Sequence, residues 1–233
     1  MQSDRFSGVQ SRTREVDAGL RAHMNSIYNR MSLGILITAI TSWIVSSSPA
    51  LLHLFLGGPQ AYIVMLAPLG IIWFGFNPRT MSSQRLQMSF FALSVLYGIS
   101  LSVIALAFAG ADIARAFFVS AGTFAALSVF GYTTKKNLQP IGAFCFMAFI
   151  GLVIVSLIGI FFTYSHTVNM FLDMGIILVI SGLTAWETQE AKQMYRESNG
   201  AEVNSRMAWV IALNLYLNFI ILFTHILNLM QQR

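Results

Sequence analysis

Seven predominantly apolar stretches follow one another along this chain, and short polar breaks separate them. A helix needs about 20 mostly apolar residues to cross the hydrocarbon core of a bilayer. Only 10% of the 233 residues are charged, whereas soluble domains average about 25%. Backbone groups inside a bilayer have no water to bond, so each spanning stretch is expected to be a helix. The sequence therefore predicts an all-α polytopic membrane protein.

The predicted membrane domain covers residues 26–233 and follows a polar N-terminal tail, residues 1–25. Its seven transmembrane helices are predicted at Ile27–Ser47, Ala61–Phe76, Leu86–Ala109, Ile113–Thr133, Pro140–Thr163, Val168–Ala191 and Met207–Met230. The second span is the shortest, and the stretch before it, "LLHLFLGGPQ", suits a re-entrant or interfacial segment. Six spans with a buried seventh segment is the alternative arrangement.

Lysine and arginine are distributed unevenly over the two sides of this arrangement. One side holds the tail and the loops after spans two, four and six, and it carries 12 of the 14 basic residues. Cytoplasmic loops are enriched in Lys and Arg. We therefore expect a cytoplasmic N-terminus and an external C-terminus. The positive charge then reports membrane orientation, and no nucleic-acid partner is expected.

The seventh span carries a polar stripe within "LNLYLNFIILFTHILNL". At about 100° per residue, Asn214, Asn218 and His225 fall within about 40° of one another. Polar groups at this depth are costly, so they are expected to face the bundle interior or a wet cavity. The simpler alternative is that the asparagines only bond neighbouring helices. For His225, an interfacial histidine is the preferred interpretation.

Glu187 is the second polar outlier, because it lies inside the cytoplasmic end of predicted span six. One alternative is that its side chain extends to the interface or forms a fixed ion pair. Arg79 and Arg85, in the loop after span two, are expected at a similar depth.

The sequence lacks the motifs of familiar hydrolases. It contains no His-Glu-x-x-His and no Gly-x-Ser-x-Gly. The single cysteine, Cys145, lies in an apolar stretch and is expected to be a small buried hydrophobe. We therefore expect neither an enzyme nor a cofactor, and the sequence indicates no certain metal site.

Three stretches resemble the Bax-inhibitor-one family, the transmembrane Bax-inhibitor-motif proteins, and in particular its bacterial branch. They are "AFFVSAGTFAALSVFGYTTKKNLQPIGAF", "AWETQEAKQMY" and "LNLYLNFIILF". The last two are similar to the family's Tyr-Asp-Thr-Gln and Leu-Tyr-Leu-Asp-Phe segments, and weaker similarity extends from about Arg21 to the C-terminus. The resemblance implies a seven-helix fold with a central seventh helix, and a pH-sensitive calcium leak.

The resemblance also implies a control site of two carboxylates and one arginine. In relatives, a carboxylate on the sixth helix and one on the seventh share a proton and control a closure on the cytoplasmic side. The matching positions are Glu187, Asn218 and, by its placement in a loop, Arg79. This chain departs from the pattern because Asn218 carries no charge, and a Glu–Asn pair cannot couple two titrations through like-charge repulsion.

The sequence thus indicates a pH-modulated leak channel or transporter for calcium or another cation in a bacterial inner membrane. Its expected partners are the lipid bilayer and the cation. The alternative is a non-conducting modulator of a membrane quality-control protease or of cell-stress responses, which would contact its partner through the tail.

Overall fold

The computed structural model describes residues 2–159, 161–162 and 164–232, with the side chains from Ala18 onward apart from that of Glu197. All the regular structure in these residues is helical. The helices are α1 (Gln2–Ser46), α2 (Pro49–Leu56), α3 (Gln60–Phe74), α4 (Ser83–Ala107), α5 (Gly110–Thr133), α6 (Gln139–Ile158), α7 (His166–Met194) and α8 (Gly200–Gln231), with a 3₁₀ turn at Glu197–Asn199.

Each predicted span overlaps one helix, but helix length and composition support five or six spans among the described residues rather than seven. Within the described part of the chain, α4 to α8 are the five helices long and apolar enough to cross a membrane, and the bent pair of α1 and α2 would make a sixth. The 15 residues of α3 are too few by the same measure. Helix α6 ends at Ile158, before the predicted end at Thr163, which lies outside the described residues.

The first predicted span differs from the structure at both ends. Helix α1 begins at Gln2, so the polar tail continues directly into the first apolar stretch as one helix. After Ser46 the chain bends by 106° into α2. Ser48 caps the N-terminus of α2, and Pro49 lies in its first turn. Proline suits this position because backbone N–H groups in the first turn of a helix have no partner within the helix. The separate segment predicted from "LLHLFLGGPQ" is therefore a short helix after a sharp bend.

Helix α8, which corresponds to predicted span seven, is the central helix. Of its 32 residues, 13 are buried, whereas α6 buries 2 of 20. It packs against α1, α4, α5 and α7. This position explains why α8 can carry polar side chains, because neighbouring helices cover most of its surface.

Three connections between helices, which together carry four basic residues, meet at one end of the bundle. Glu202, in the first turn of α8, accepts hydrogen bonds from the backbone N–H and the hydroxyl of Ser83 at 2.8 and 2.9 Å. Gln189, near the end of α7, donates to the carbonyl of Lys136 at 2.8 Å. The connections at residues 75–82, 134–138 and 195–199 therefore lie together, and we call this the basic end.

Arg30 is an exception among the basic residues, because it is half-buried between α1 and α8. Its guanidinium donates to the carbonyl and the hydroxyl of Ser205 at 2.8 and 3.1 Å. The same group lies 4.2 Å from the ring centroid of Trp209, within reach of a cation–π interaction. Arg30 thus fastens α1 to the first turns of α8.

Candidate functional site

Glu187 of α7 and Asn218 of α8 meet in the contact surface between these two helices, the α7–α8 seam. The side-chain Nδ2 of Asn218 donates to Oε2 of Glu187 at 2.7 Å. Asn218 is 6% exposed, and Glu187 is half-buried. A short hydrogen bond to a carboxylate is among the stronger polar contacts in proteins, and burial strengthens it further. The structure therefore brings together the two residues that the sequence motifs single out.

No cationic side chain neutralises Glu187 among those that the structure describes. The ion pairs found there join Asp112 to Arg115, Glu202 to Arg206, and Asp173 to His225. The nearest carboxylate along α7 is that of Glu190, one turn further on and half-buried. Glu187 thus relies on the amide of Asn218 for its polar partner.

The structure does not bring Arg79 to this pair. Arg79 is exposed in the connection between α3 and α4, where its backbone N–H donates to the side chain of Asn77 at 3.1 Å. The carbonyl of the adjacent Pro78 accepts from Arg206 at 3.4 Å. Because Arg206 precedes Asn218 by 12 residues on α8, the loop is held roughly 18 Å away along the helix axis.

Only part of the polar stripe on α8 faces inward. Asn218 is buried and His225 is half-buried, but Asn214 is exposed. The two asparagines differ by about 40° around the helix. This difference places Asn214 outside the part of the α8 surface that neighbouring helices cover. Of the two asparagines expected to face the bundle interior or a wet cavity, the packed interior therefore holds Asn218 and not Asn214.

A second polar pair lies at the opposite end of the α7–α8 seam. Nδ1 of His225 is 2.6 Å from Oδ1 of Asp173, and Gln232 donates to Oδ2 of Asp173 at 2.9 Å. Asp173 is 7% exposed, so this carboxylate near the start of α7 is covered by its neighbours. These residues border a cavity of about 490 Å³ that Asn169 and Asn228 also line. The sequence contained a signal for this pair, because Asp173 and His225 fall at similar depths on consecutive predicted spans.

Helix α7 is firmly held by its neighbours at the level of Glu187. Gln189 accepts from the N–H of Leu138 at 2.8 Å and donates to Lys136, so it fixes the connection between α5 and α6. A Cβ added at Gly131 of α5 would overlap the carbonyl oxygen of Ala185. Only glycine therefore allows α5 and α7 to approach this closely, and the motif "AWETQ" lies on the contact surface.

Helix α8 is held on its other side by a buried polar cluster two residues from Asn218. The hydroxyl groups of Tyr216 and Thr38 are 2.7 Å apart, and Thr38 also lies 2.9 Å from the carbonyl of Ser94. All three residues are buried. The cluster joins α8 to α1 and α4, so Asn218 projects from a fixed helix.

Glu187 can gain or lose a proton and stay hydrogen-bonded to Asn218 in both its acid and its carboxylate form. The amide of Asn218 donates to the carboxylate, and its carbonyl oxygen can accept from the acid. Calcium usually takes 6–8 oxygen ligands, and the described residues contain no group of three or more His, Cys, Asp and Glu side chains placed to hold a metal ion. The pair is therefore suited to a proton-dependent contact.

Comparison with known proteins agrees with the three sequence motifs. The sequence profile of the family described as "Inhibitor of apoptosis-promoting Bax1" matches residues 20–233. An uncharacterized protein of Rickettsia prowazekii is 36% identical over 224 residues, covering 96% of this chain and 94% of that protein. The inner membrane protein YbhL of Escherichia coli is 34% identical over 220 residues, covering 93% and 94%. With its long apolar helices, this chain is an integral membrane protein and belongs to the Bax1-inhibitor family.

Proposed function

We propose that this protein lets calcium or a similar cation leak across the bacterial inner membrane, and that the hydrogen bond between Glu187 and Asn218 favours the closed state. The observation that carries the proposal is a carboxylate inside an apolar helix with an amide as its polar partner. Ionisable groups at such positions are costly and tend to mark ion or proton pathways. The α7–α8 seam is therefore the preferred place for control of the leak.

The proposed arrangement has seven spans, with α3 as the second and the bent α1–α2 pair as the first. The basic end faces the cytoplasm, because 12 of the 14 basic residues belong to that side. Glu187 then lies seven residues before the cytoplasmic end of α7, or about 10 Å inside it. Reporter fusions at the two termini should report opposite sides of the membrane, and two termini on one side would exclude an odd number of spans.

Glu187 is the proposed pH-sensitive group of this leak. A change in its protonation alters the charge at the seam and reverses the direction of its hydrogen bond with Asn218. Because Asn218 does not titrate, the response to pH follows one group rather than two coupled groups. The leak should therefore respond less steeply to pH than that of relatives with two carboxylates.

Calcium flux into dye-loaded proteoliposomes, measured from about pH 5 to pH 8, tests the proposal. Calcium should enter liposomes that contain the parent protein faster than protein-free liposomes. The rate of entry should change with pH through the protonation of Glu187. The matched pair of variants is Glu187→Gln and Glu190→Gln, one turn apart on α7. Only the first should lose the pH response. A parent protein that leaks no faster than empty liposomes would exclude the transport function.

The second candidate is a non-conducting modulator of a membrane quality-control protease or of stress responses. Helix α1 favours it, because its 45 residues would extend about 67 Å, roughly twice the thickness of the hydrocarbon core. The excess length gives a helical segment outside the bilayer that a partner could bind. Absence of flux, together with co-purification of a protease that is lost on deleting residues 1–21, would favour this candidate.

A further inference from the structure

A long groove separates α1 from α5 on the lipid-facing surface. Helix α1 packs on α4 and α8, whereas α5 packs on α7 and α8, so a gap remains between the two. The gap contains two cavities of about 960 and 520 Å³. The residues that line both cavities are Ile35, Ala39, Phe117 and Phe219. The groove is therefore continuous, with Phe219 of the central helix as its floor.

The groove runs along most of the height of the bundle. Its lining on α1 begins at Arg21, at the basic end, and continues to Ser46. These positions are 25 residues apart, or about 37 Å along the helix. That length exceeds the hydrocarbon thickness of about 30 Å, so the groove is long enough for an extended acyl chain.

The polar groups of the larger cavity are concentrated near the basic end. Its middle is lined by aliphatic and aromatic side chains such as Met31 and Phe124, whereas Arg21 and Asn25 lie at its mouth. Ser128 of α5 also lines it and is 6% exposed, and its covered Oγ has no hydrogen-bond partner among the described residues. Buried polar groups in proteins are usually paired, and a change of the Ser128 rotamer toward the groove would bring this hydroxyl within reach of a polar group bound there.

We propose that the groove binds one membrane phospholipid from the leaflet at the basic end, with an acyl chain against Phe219 and the phosphodiester at Arg21. The arginine guanidinium matches the charge and geometry of a phosphate group. Ser128 lies five residues before the end of α5, about 8 Å deeper than that end. At this depth its hydroxyl donates to an ester carbonyl oxygen of the lipid. The bound chain packs beside Asn218, since Phe219 is the next residue.

The proposal is tested by native mass spectrometry of the full chain in a detergent with a neutral sugar headgroup. The probes are palmitoyl-oleoyl phosphatidylglycerol and the diacylglycerol with the same chains, which lacks the phosphate. A single phosphatidylglycerol should bind, and the diacylglycerol should bind at least about tenfold more weakly, because it cannot form the charge-assisted bond with Arg21. The variant Arg21→Gln, at an exposed position, should remove this preference.

Two neighbouring tryptophan substitutions test the location. Ala125 lines the groove, whereas Ala126 is exposed and does not line it. Ala125→Trp should abolish phosphatidylglycerol binding, and Ala126→Trp should leave it unchanged. Equal binding by these two variants, or equal binding of the two probes by the parent, would overturn the proposal. Circular dichroism confirms folding of each variant, and Arg21→Gln decides the question if Ala125→Trp does not fold.

Discussion

Replacing Asn218 by aspartate would convert the single carboxylate of the α7–α8 seam into a close pair. Nδ2 of Asn218 is 2.7 Å from Oε2 of Glu187, so the new carboxylate would directly face the old one. The charge centres of two carboxylates in such contact are about 4 Å apart, where two unit charges repel by about 4 kcal/mol at an effective dielectric constant near 20. This energy separates the two proton releases of the pair by roughly 3 pH units.

The expected result of Asn218→Asp is a calcium flux that changes with pH in two steps, where the parent shows one. Calcium binding should also become tighter, because a second carboxylate adds an anionic oxygen ligand. Both quantities are measured in proteoliposomes from about pH 4 to pH 9, because two steps separated by roughly 3 pH units do not both fit in a narrower range. The matched control is Asn214→Asp, which adds the same charge four residues earlier on α8 at an exposed position.

Asn214→Asp should change neither the number of steps nor calcium binding. If Asn218→Asp also changes neither quantity, or if both variants behave alike, the Glu187–Asn218 pair is not the control point. The two residues would then be polar packing groups that only hold α7 against α8.

Other substitutions test the site and its supports. Glu187→Gln should remove the remaining pH dependence of calcium flux in the same assay, while Glu190→Gln should retain it. Gln189→Leu removes both 2.8 Å hydrogen bonds to the connection between α5 and α6. It should lower the free energy of unfolding in detergent by about 1–3 kcal/mol. Gly131→Leu should destabilise by a similar 1–3 kcal/mol through overpacking, whereas Gly122→Leu, where an added Cβ meets no neighbouring atom, should leave the melting temperature nearly unchanged.

The helices of the membrane domain could be predicted from the apolar stretches, because a bilayer admits few alternatives to a helix. The break before α2 was also predictable from "SSSPA", where Ser48 and Pro49 have clear preferences for the start of a helix. The bend of 106° was not, since it depends on how α2 packs against α3. The extension of α1 to Gln2 was not predicted, because the tail has no apolar stretch that would indicate a helix.

The candidate site was only partly predictable for a related physical reason. Helical periodicity gives the angle of a side chain around its own helix, but it does not say which neighbouring helix covers that angle. The family motifs indicated that Glu187 and Asn218 face each other, whereas no motif indicated which helix, if any, covers Asn214. The contact between Asp173 and His225 joins residues 52 positions apart, and the place of Arg79 depends on how a loop folds back on α8.

The close approach of Gly131 to Ala185 has a mechanical consequence. Because the two backbones touch with no side chain between them, α5 and α7 cannot slide or rotate against each other without losing this contact. A transition that separates Glu187 from Asn218 would therefore displace α5 and α7 as one rigid unit, together with the connection that Gln189 holds. Since α5 forms one wall of the lipid-facing groove, that displacement would also change the distance between α5 and α1.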